Sequence, residues 1–81
     1  MKVLFGEGID EVFDDLPVPV KTKAARQISL LASSPFMYPV RRRGIMKGYR
    51  YFISFGYLFF YSVTSSEIRI SAIIPGRMSR A

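Results

Sequence analysis

The sequence predicts a small α+β domain, in which one strand and an antiparallel pair of helices precede a three-stranded antiparallel meander. Three observations predict this fold class. The length of 81 residues suffices for one domain with a thin core, so residues 1–81 are expected to form a single domain. Apolar residues recur with helical spacing in two segments before residue 34. From Gly48 to Ile74 they alternate with a period of two, which is typical of strands.

The amino-terminal segment predicts one strand and one helix. Lys2–Phe5 is extended, with Val3 and Phe5 on one face, and the glycines that follow end it. The helix after them is ended by Pro17 and Pro19. Its expected inward stripe, at positions i, i+3, i+4 and i+7, comprises Ile9, Val12, Phe13 and Leu16.

A second helix is predicted from about Val20 to Ser33. The residues expected to face inward are Val20, Ala24, Ile28 and Leu31. The second helix has basic residues at its start, and the first helix has acids at its end. Each charge is unfavourable there, because a helix dipole is positive at the amino end and negative at the carboxyl end. These residues are Lys21, Lys23 and Arg26 in the second helix, and Asp14 and Asp15 in the first. We expect the two clusters to neutralise each other across a short turn.

The faces of the meander depend on the first hairpin turn, because one residue of register moves every side chain to the other face. A two-residue turn at Phe55-Gly56 would place Arg50 beside the residues Tyr57, Phe59 and Tyr61. A three-residue turn would place it on the face without helices, and we prefer this turn because it gives the helices a continuous apolar floor. The side chains then expected on the helix-free face are Arg50, Phe52, Ser54, Leu58, Phe60 and Ser62.

This helix-free face is predicted to bind a protein. Arg50 and Arg69 would surround three large apolar side chains, Phe52, Leu58 and Phe60. Arginine and aromatic residues supply most of the binding energy at protein interfaces, and exposed apolar patches mark such sites. The alternative is that the apolar residues are covered by the carboxyl-terminal tail or by residues 38–47.

The segment between the second helix and the meander is the most basic in the chain. Phe36–Lys47 has no clean period, and a segment of this kind is a functional loop, a disordered loop or a partly formed strand. Its run Arg41–Arg43, together with Lys47, indicates either phosphate contact or a solvated loop. Nearby aromatic residues either stack on nucleic-acid bases or belong to the core. These aromatic residues are Tyr38, Tyr49 and Tyr51.

Charge is divided unevenly along the chain. Residues 1–15 carry −4, from one lysine and five acids, whereas residues 16–81 carry +10, from eleven basic residues and Glu67. This imbalance indicates a nucleic acid, an anionic membrane or an acidic protein as the partner. The residues predicted to contact a nucleic acid or another target are Arg41, Arg42, Arg43, Lys47, Arg50, Arg69, Arg77 and Arg80.

The composition excludes several kinds of site. Cysteine and histidine are absent, which excludes disulfides and thiolate or imidazole metal ligands, and we expect no metal and no cofactor. No catalytic motif of known spacing is present. No signal peptide and no apolar run near the roughly 20 residues of a membrane span are visible, so we expect a cytoplasmic protein without membrane contact.

Three stretches of the carboxyl-terminal half carry a resemblance to a known family. They are Gly48-Tyr49-Arg50, then Gly56-Tyr57 leading to Phe60–Val63, then Ile68–Ile74 with Pro75-Gly76-Arg77. With Ser34–Met37 and the order of elements in a basic chain of this length, they resemble the RelE/ParE superfamily of toxins from toxin–antitoxin modules. The plasmid-stabilisation, ParE-like branch is the most similar. The resemblance covers nearly the whole chain and implies a growth-inhibiting toxin that a cognate antitoxin neutralises.

The resemblance leaves the target open, because some members of the family cleave messenger RNA on the ribosome and others inhibit DNA gyrase without being nucleases. Arg50 and Arg77 match two basic positions of the ribonuclease branch, where they would be catalytic. Phe52 and Leu58 stand where that branch has further basic residues, and no tyrosine follows Arg77. These departures favour a gyrase-type target. A ribosome-dependent endoribonuclease and a non-toxic binding module are the alternatives. The residues expected to bind the antitoxin are Phe52, Leu58 and Phe60.

Overall fold

A computed structural model describes residues 1–78 of the chain. The elements are β1 Lys2–Phe5, α1 Ile9–Asp14, α2 Val18–Leu31, β2 Arg50–Ser54, β3 Tyr57–Val63, β4 Glu67–Pro75 and a 3₁₀ turn, Gly76–Met78. The prediction of a small α+β domain, with one strand and two helices before three further strands, is confirmed.

The sheet has four strands rather than the three of the predicted meander. Its order is β1-β4-β3-β2; β1 lies parallel to β4, and the other neighbours are antiparallel. Val3 lies beside Ile68 and Phe5 beside Ile70, so the pairing extends the apolar side of the sheet. Parallel neighbours need a long crossover, and the chain between β1 and β4 supplies one. The antiparallel pairing predicted for β2, β3 and β4 is confirmed, but the sheet as a whole is mixed, because β1 adds a fourth, parallel strand at its edge.

The core lies between one face of this sheet and the two helices. The inward residues predicted for α2 are confirmed, since Val20, Ala24 and Leu31 are buried and Ile28 packs beside them. The sheet residues of the core cluster are Phe52, Phe59, Tyr61, Ile68 and Ile70. A cluster of this size is the main source of stability available to a chain without disulfides.

The short helix α1 differs from the prediction at one position. Ile9 and Phe13 pack against the core and Leu16, just beyond the helix, is buried, but Val12 is 41% exposed. The helix has six residues and begins after Gly8, which has a φ of 77°. At 3.6 residues per turn, Val12 lies about 100° from Phe13 around the helix axis, at the edge of the stripe that packs against the core, and it is therefore partly in solvent.

The first hairpin has the two-residue turn, so the preferred three-residue turn is wrong. Ser54 pairs with Tyr57, which leaves Phe55 and Gly56 as the turn, with φ values of 41° and 82°. Two consecutive positive φ angles are characteristic of the type I′ turn, whose twist matches that of the strands. The register places Ser54 against α2, where its buried hydroxyl donates a 2.8 Å hydrogen bond to the Val20 carbonyl oxygen. That bond offsets the cost of burying a polar group there.

Candidate functional site

Arg50 lies on the helix-facing side of β2, contrary to the prediction. It pairs with Tyr61, whose side chain is fully buried. Its Nη1 donates a 2.7 Å hydrogen bond to the Tyr38 carbonyl oxygen, and its guanidinium carbon lies 5.0 Å from the centre of the Phe36 ring. Through these two contacts, the half-buried guanidinium holds the segment after α2 against β2. Because of the hairpin register, Arg50 does not join Arg69 on the helix-free face.

The three apolar residues predicted to form an exposed, antitoxin-binding patch are buried. Phe52 faces the helices and is 2% exposed. Leu58 and Phe60 do lie on the helix-free side, but they are only 7% and 0% exposed. The 3₁₀ turn lies against Leu58, since a Cβ at Gly76 would be 3.4 Å from Leu58 Cδ1. The guanidinium carbon of Arg41 lies 5.5 Å from the centre of the Phe60 ring. The prediction of an exposed patch is wrong, because the chain's own residues cover it.

The basic segment forms a hydrogen-bonded loop at the edge of β2. Val40 makes an antiparallel bridge with Arg50, and the Arg41 amide donates a 2.7 Å hydrogen bond to the Tyr49 carbonyl oxygen. The sequence left open whether this segment is a functional loop, a disordered loop or a partly formed strand. The structure shows a short piece of strand at Val40 that is followed by a closed loop. The loop protects the edge of β2, where unpaired backbone groups would otherwise be exposed.

Three cations of this loop, Arg42, Arg43 and Lys47, are exposed. Arg41 instead lies across the sheet, where its Nε donates a 2.9 Å hydrogen bond to the Arg43 carbonyl oxygen and its guanidinium carbon is 5.9 Å from the centre of the Tyr51 ring. Arg41 therefore covers the sheet. The other three present a cationic surface whose charge suits phosphate groups, the role predicted for them.

The remaining candidate cations are placed apart from that loop. Arg69 lies on the helix-free face and pairs at 2.8 Å with Glu67, two positions away, in the single ion pair of residues 1–78. Arg77 is exposed in the 3₁₀ turn, beside a cleft of about 280 Å³ between the hairpin turn and the end of β4. Arg80 lies outside the described residues.

The two residues proposed as catalytic in a ribonuclease do not converge. Arg50 pairs with Tyr61, whereas Pro75, two residues before Arg77, pairs with Tyr57. Tyr57 and Tyr61 are four positions apart along β3, a distance of about 13 Å. Arg50 is also held on the helix-facing side by its bond to a backbone carbonyl oxygen.

Tyr61 is the buried phenol beside Arg50. Its Oη donates a 2.9 Å hydrogen bond to the Pro35 carbonyl oxygen. Burial raises the pKa of Tyr61 above its ordinary value of 10.0, although the neighbouring charge of Arg50 lowers it. The phenol therefore stays neutral near pH 7 and serves as a structural donor rather than as a base.

Other kinds of site are not found in the part of the chain that the structure describes. No group of three or more acidic, histidine or cysteine side chains in residues 1–78 is arranged to hold a metal ion. Within the same residues, neither helix has the length and apolar character needed to cross a bilayer.

An apolar groove that was not predicted from the sequence lies between the start of α2 and the first hairpin turn. Its volume is about 480 Å³. The residues that line it are Val18, Pro19, Thr22, Lys23, Arg26 and Phe55. Two of its large apolar side chains are open to solvent, Val18 at 68% exposure and Phe55 at 62%. We call this surface the α2–hairpin groove.

The basic residues at the start of α2 could have indicated this groove, because two of them, Lys23 and Arg26, line it. That charge is expected from the sequence to neutralise the acids of α1. In the structure, Lys21 Nζ instead donates a 3.2 Å hydrogen bond to the backbone carbonyl oxygen of Asp14. Within residues 1–78, no ion pair joins the side chains of the two clusters, so the expected pairs between them are not formed. The positive charge of Lys23 and Arg26 thus remains available at the groove.

Comparisons with known proteins give no further identification. No protein-family model matches the sequence, and a search of curated proteins finds no significant match.

Proposed function

We propose that the chain is the toxin component of a type II toxin–antitoxin module of the RelE/ParE superfamily. In this proposal it arrests growth in the cytoplasm by binding a cellular target, and a cognate antitoxin neutralises it. The stretches that carry the resemblance occupy β2, β3, β4 and the turn after them, and both helices pack on one face of the sheet they form. That arrangement agrees with the element order on which the resemblance depends.

The glycines of the resembling stretches support this proposal, because each occupies a position that favours glycine. Gly48 and Gly56 have φ values of 92° and 82°, which other residues adopt only with strain. Gly76 donates a 2.7 Å hydrogen bond to the Gly56 carbonyl oxygen, and a Cβ at Gly76 would lie 2.9 Å from that oxygen. The backbone conformation or a close contact thus requires glycine at all three positions.

We favour a target of the DNA gyrase type over messenger RNA, because the position of Arg50 argues against ribonuclease activity. Arg50, one of the two candidate catalytic arginines, is half-buried on the helix-facing side and donates a hydrogen bond to the Tyr38 carbonyl oxygen. A catalytic cation must lie where charge develops in the transition state, within hydrogen-bond reach of the substrate. Arg50 occupies a structural position instead, and Arg77 alone does not make a catalytic set.

The test is controlled expression of the chain in a bacterial host. We expect growth arrest, loss of supercoiling when purified chain is added to DNA gyrase, and intact messenger RNA on ribosomes. Co-expression of a short acidic reading frame encoded beside the gene should restore growth. Phe59→Asp, which places a charge at a fully buried position, is the control for an unfolded chain and should be harmless.

Two outcomes contradict the proposal in different ways. Growth arrest with normal supercoiling and cleaved messenger RNA would replace the gyrase-type target by ribonuclease activity. Unchanged growth, with folded chain present in the cells, would leave a non-toxic binding module on the same fold.

A further inference from the structure

The α2–hairpin groove contains a strained residue whose side chain contributes little to the fold. Phe55 has a φ of 41°, in the first position of a type I′ turn. Asparagine, aspartate and glycine favour that position, and a bulky side chain there is a clear outlier. Phe55 is 62% exposed, and Lys23 Nζ lies 5.0 Å from the centre of its ring. Strained residues of this kind cluster at functional sites, which makes the groove a candidate for binding.

The rest of the groove has the character of a protein interface. Val18 and Pro19 continue the apolar surface from Phe55 along the first turn of α2. From Val18 to Arg26 the helix rises about 12 Å, which matches two turns of a partner helix or a short extended segment. Aromatic residues and arginine are enriched at protein interfaces, and the groove contains both, Phe55 and Arg26.

Charge decides which partner fits. Lys23 and Arg26 line the groove, and neither forms an ion pair within residues 1–78. An acidic partner would supply the missing carboxylates. A nucleic acid would satisfy the cations but would leave Val18 and Phe55 against a charged phosphate backbone, whereas a protein segment can also cover these two residues.

We infer that the α2–hairpin groove docks an acidic protein segment that carries a large aliphatic or aromatic side chain. The apolar side chain lies between Val18 and Phe55, and the carboxylates of the segment pair with Lys23 and Arg26. This inference goes beyond the proposed toxin function and does not depend on it, because it concerns a surface rather than a cellular target.

The experiment selects peptides from a random displayed library on the purified chain and measures their dissociation constants by fluorescence anisotropy. Two variants alter the groove. Phe55→Asn introduces a residue that the turn favours, so its melting temperature should equal or exceed that of the wild type. Lys23→Glu combined with Arg26→Glu reverses the charge. The matched control, Arg42→Glu combined with Arg43→Glu, makes the same charge change in the exposed loop.

We expect enrichment of peptides that combine several acids with a large apolar residue. Both groove variants should weaken binding by about tenfold or more, and the loop control by less than about twofold. The inference is overturned if no such peptides are enriched, or if the Phe55 variant keeps its fold and binds them normally. It is also overturned if the loop control weakens binding as much as the groove charge reversal does, or if an oligonucleotide competes with the peptide.

Growth arrest separates this inference from the proposed function. A chain that binds the peptides through the groove but does not arrest growth retains the docking site and loses the toxin function. A chain that arrests growth but does not bind the peptides through the groove supports the proposed function and overturns the docking site.

Discussion

Replacing Arg50 with alanine should lower the free energy of unfolding, because Arg50 has a structural role and not a catalytic one. The substitution deletes the 2.7 Å hydrogen bond from the guanidinium to the Tyr38 carbonyl oxygen and the contact with the Phe36 ring. A charged hydrogen bond at a half-buried site contributes about 1–2 kcal/mol, and the cation–π contact adds about 0.5–1 kcal/mol. We therefore expect a loss of about 1.5–3 kcal/mol in the free energy of unfolding. For a domain of this size, that loss lowers the melting temperature by about 6–24 °C.

Arg69→Ala is the matched control, because it removes the same side chain from the helix-free face. The Arg69 side chain is 52% exposed, and its pair with Glu67 is a surface ion pair. Such pairs contribute at most about 1 kcal/mol, so the melting temperature should fall by no more than about 4–8 °C. Thermal unfolding followed by circular dichroism measures both variants. Equal melting temperatures for the two variants would refute the structural role of Arg50.

The same pair of variants separates folding from activity. If Arg50 acts only through the fold, its alanine variant should regain growth arrest when the cells are grown at reduced temperature, where small domains are close to maximum stability. A folded Arg50→Ala chain that stays harmless at every temperature would restore the catalytic interpretation.

Three further predictions concern the core and the turns. Tyr61→Phe should lower the free energy of unfolding by about 1 kcal/mol at pH 7, through loss of its hydrogen bond. Because burial raises the pKa of Tyr61 above 10.0, the unfolded chain releases this proton first, so wild-type stability falls as pH rises above 10. Urea unfolding at several pH values should show the difference from the phenylalanine variant shrinking over that range. Gly76→Ala should cost about 1–3 kcal/mol, since its Cβ would lie 2.9 Å from the Gly56 carbonyl oxygen, and an unchanged melting temperature would contradict this close approach. Ser54→Ala should cost about 1 kcal/mol in urea unfolding, because its buried hydroxyl bonds to the Val20 carbonyl oxygen.

The helices and strands were predictable because local patterns specify them. The period of 3.6 residues identified the buried face of α2, from Val20 to Leu31, without any knowledge of the sheet. Alternation with a period of two likewise predicted three strands that the structure contains. The pairing of β1 with β4 was not predictable in this way. It joins residues more than sixty positions apart, and no local pattern shows which edge a short strand will occupy.

The hairpin register was predicted incorrectly for a specific reason. Hydrophobic pattern alone favours a core without Arg50 and Ser54, yet both lie on the helix-facing side. Each is accommodated by a hydrogen bond to a backbone carbonyl oxygen of a distant residue, Tyr38 and Val20 respectively. Phe55 added to the error, because phenylalanine is not a residue that indicates a type I′ turn.

The register also decides where the protein can meet a partner. Had the three-residue turn formed, Phe52 would lie in the centre of an open sheet face, and that face would be the natural binding surface. With the observed turn, Phe52 belongs to the core and the centre of the sheet is covered by Arg41 and the 3₁₀ turn. The same turn holds Phe55 in solvent beside the basic start of α2. A single residue of register thus moves the exposed apolar surface from the middle of the sheet to its corner. Binding should therefore respond more strongly to Phe55→Asn than to charge changes at Arg69 on the helix-free face.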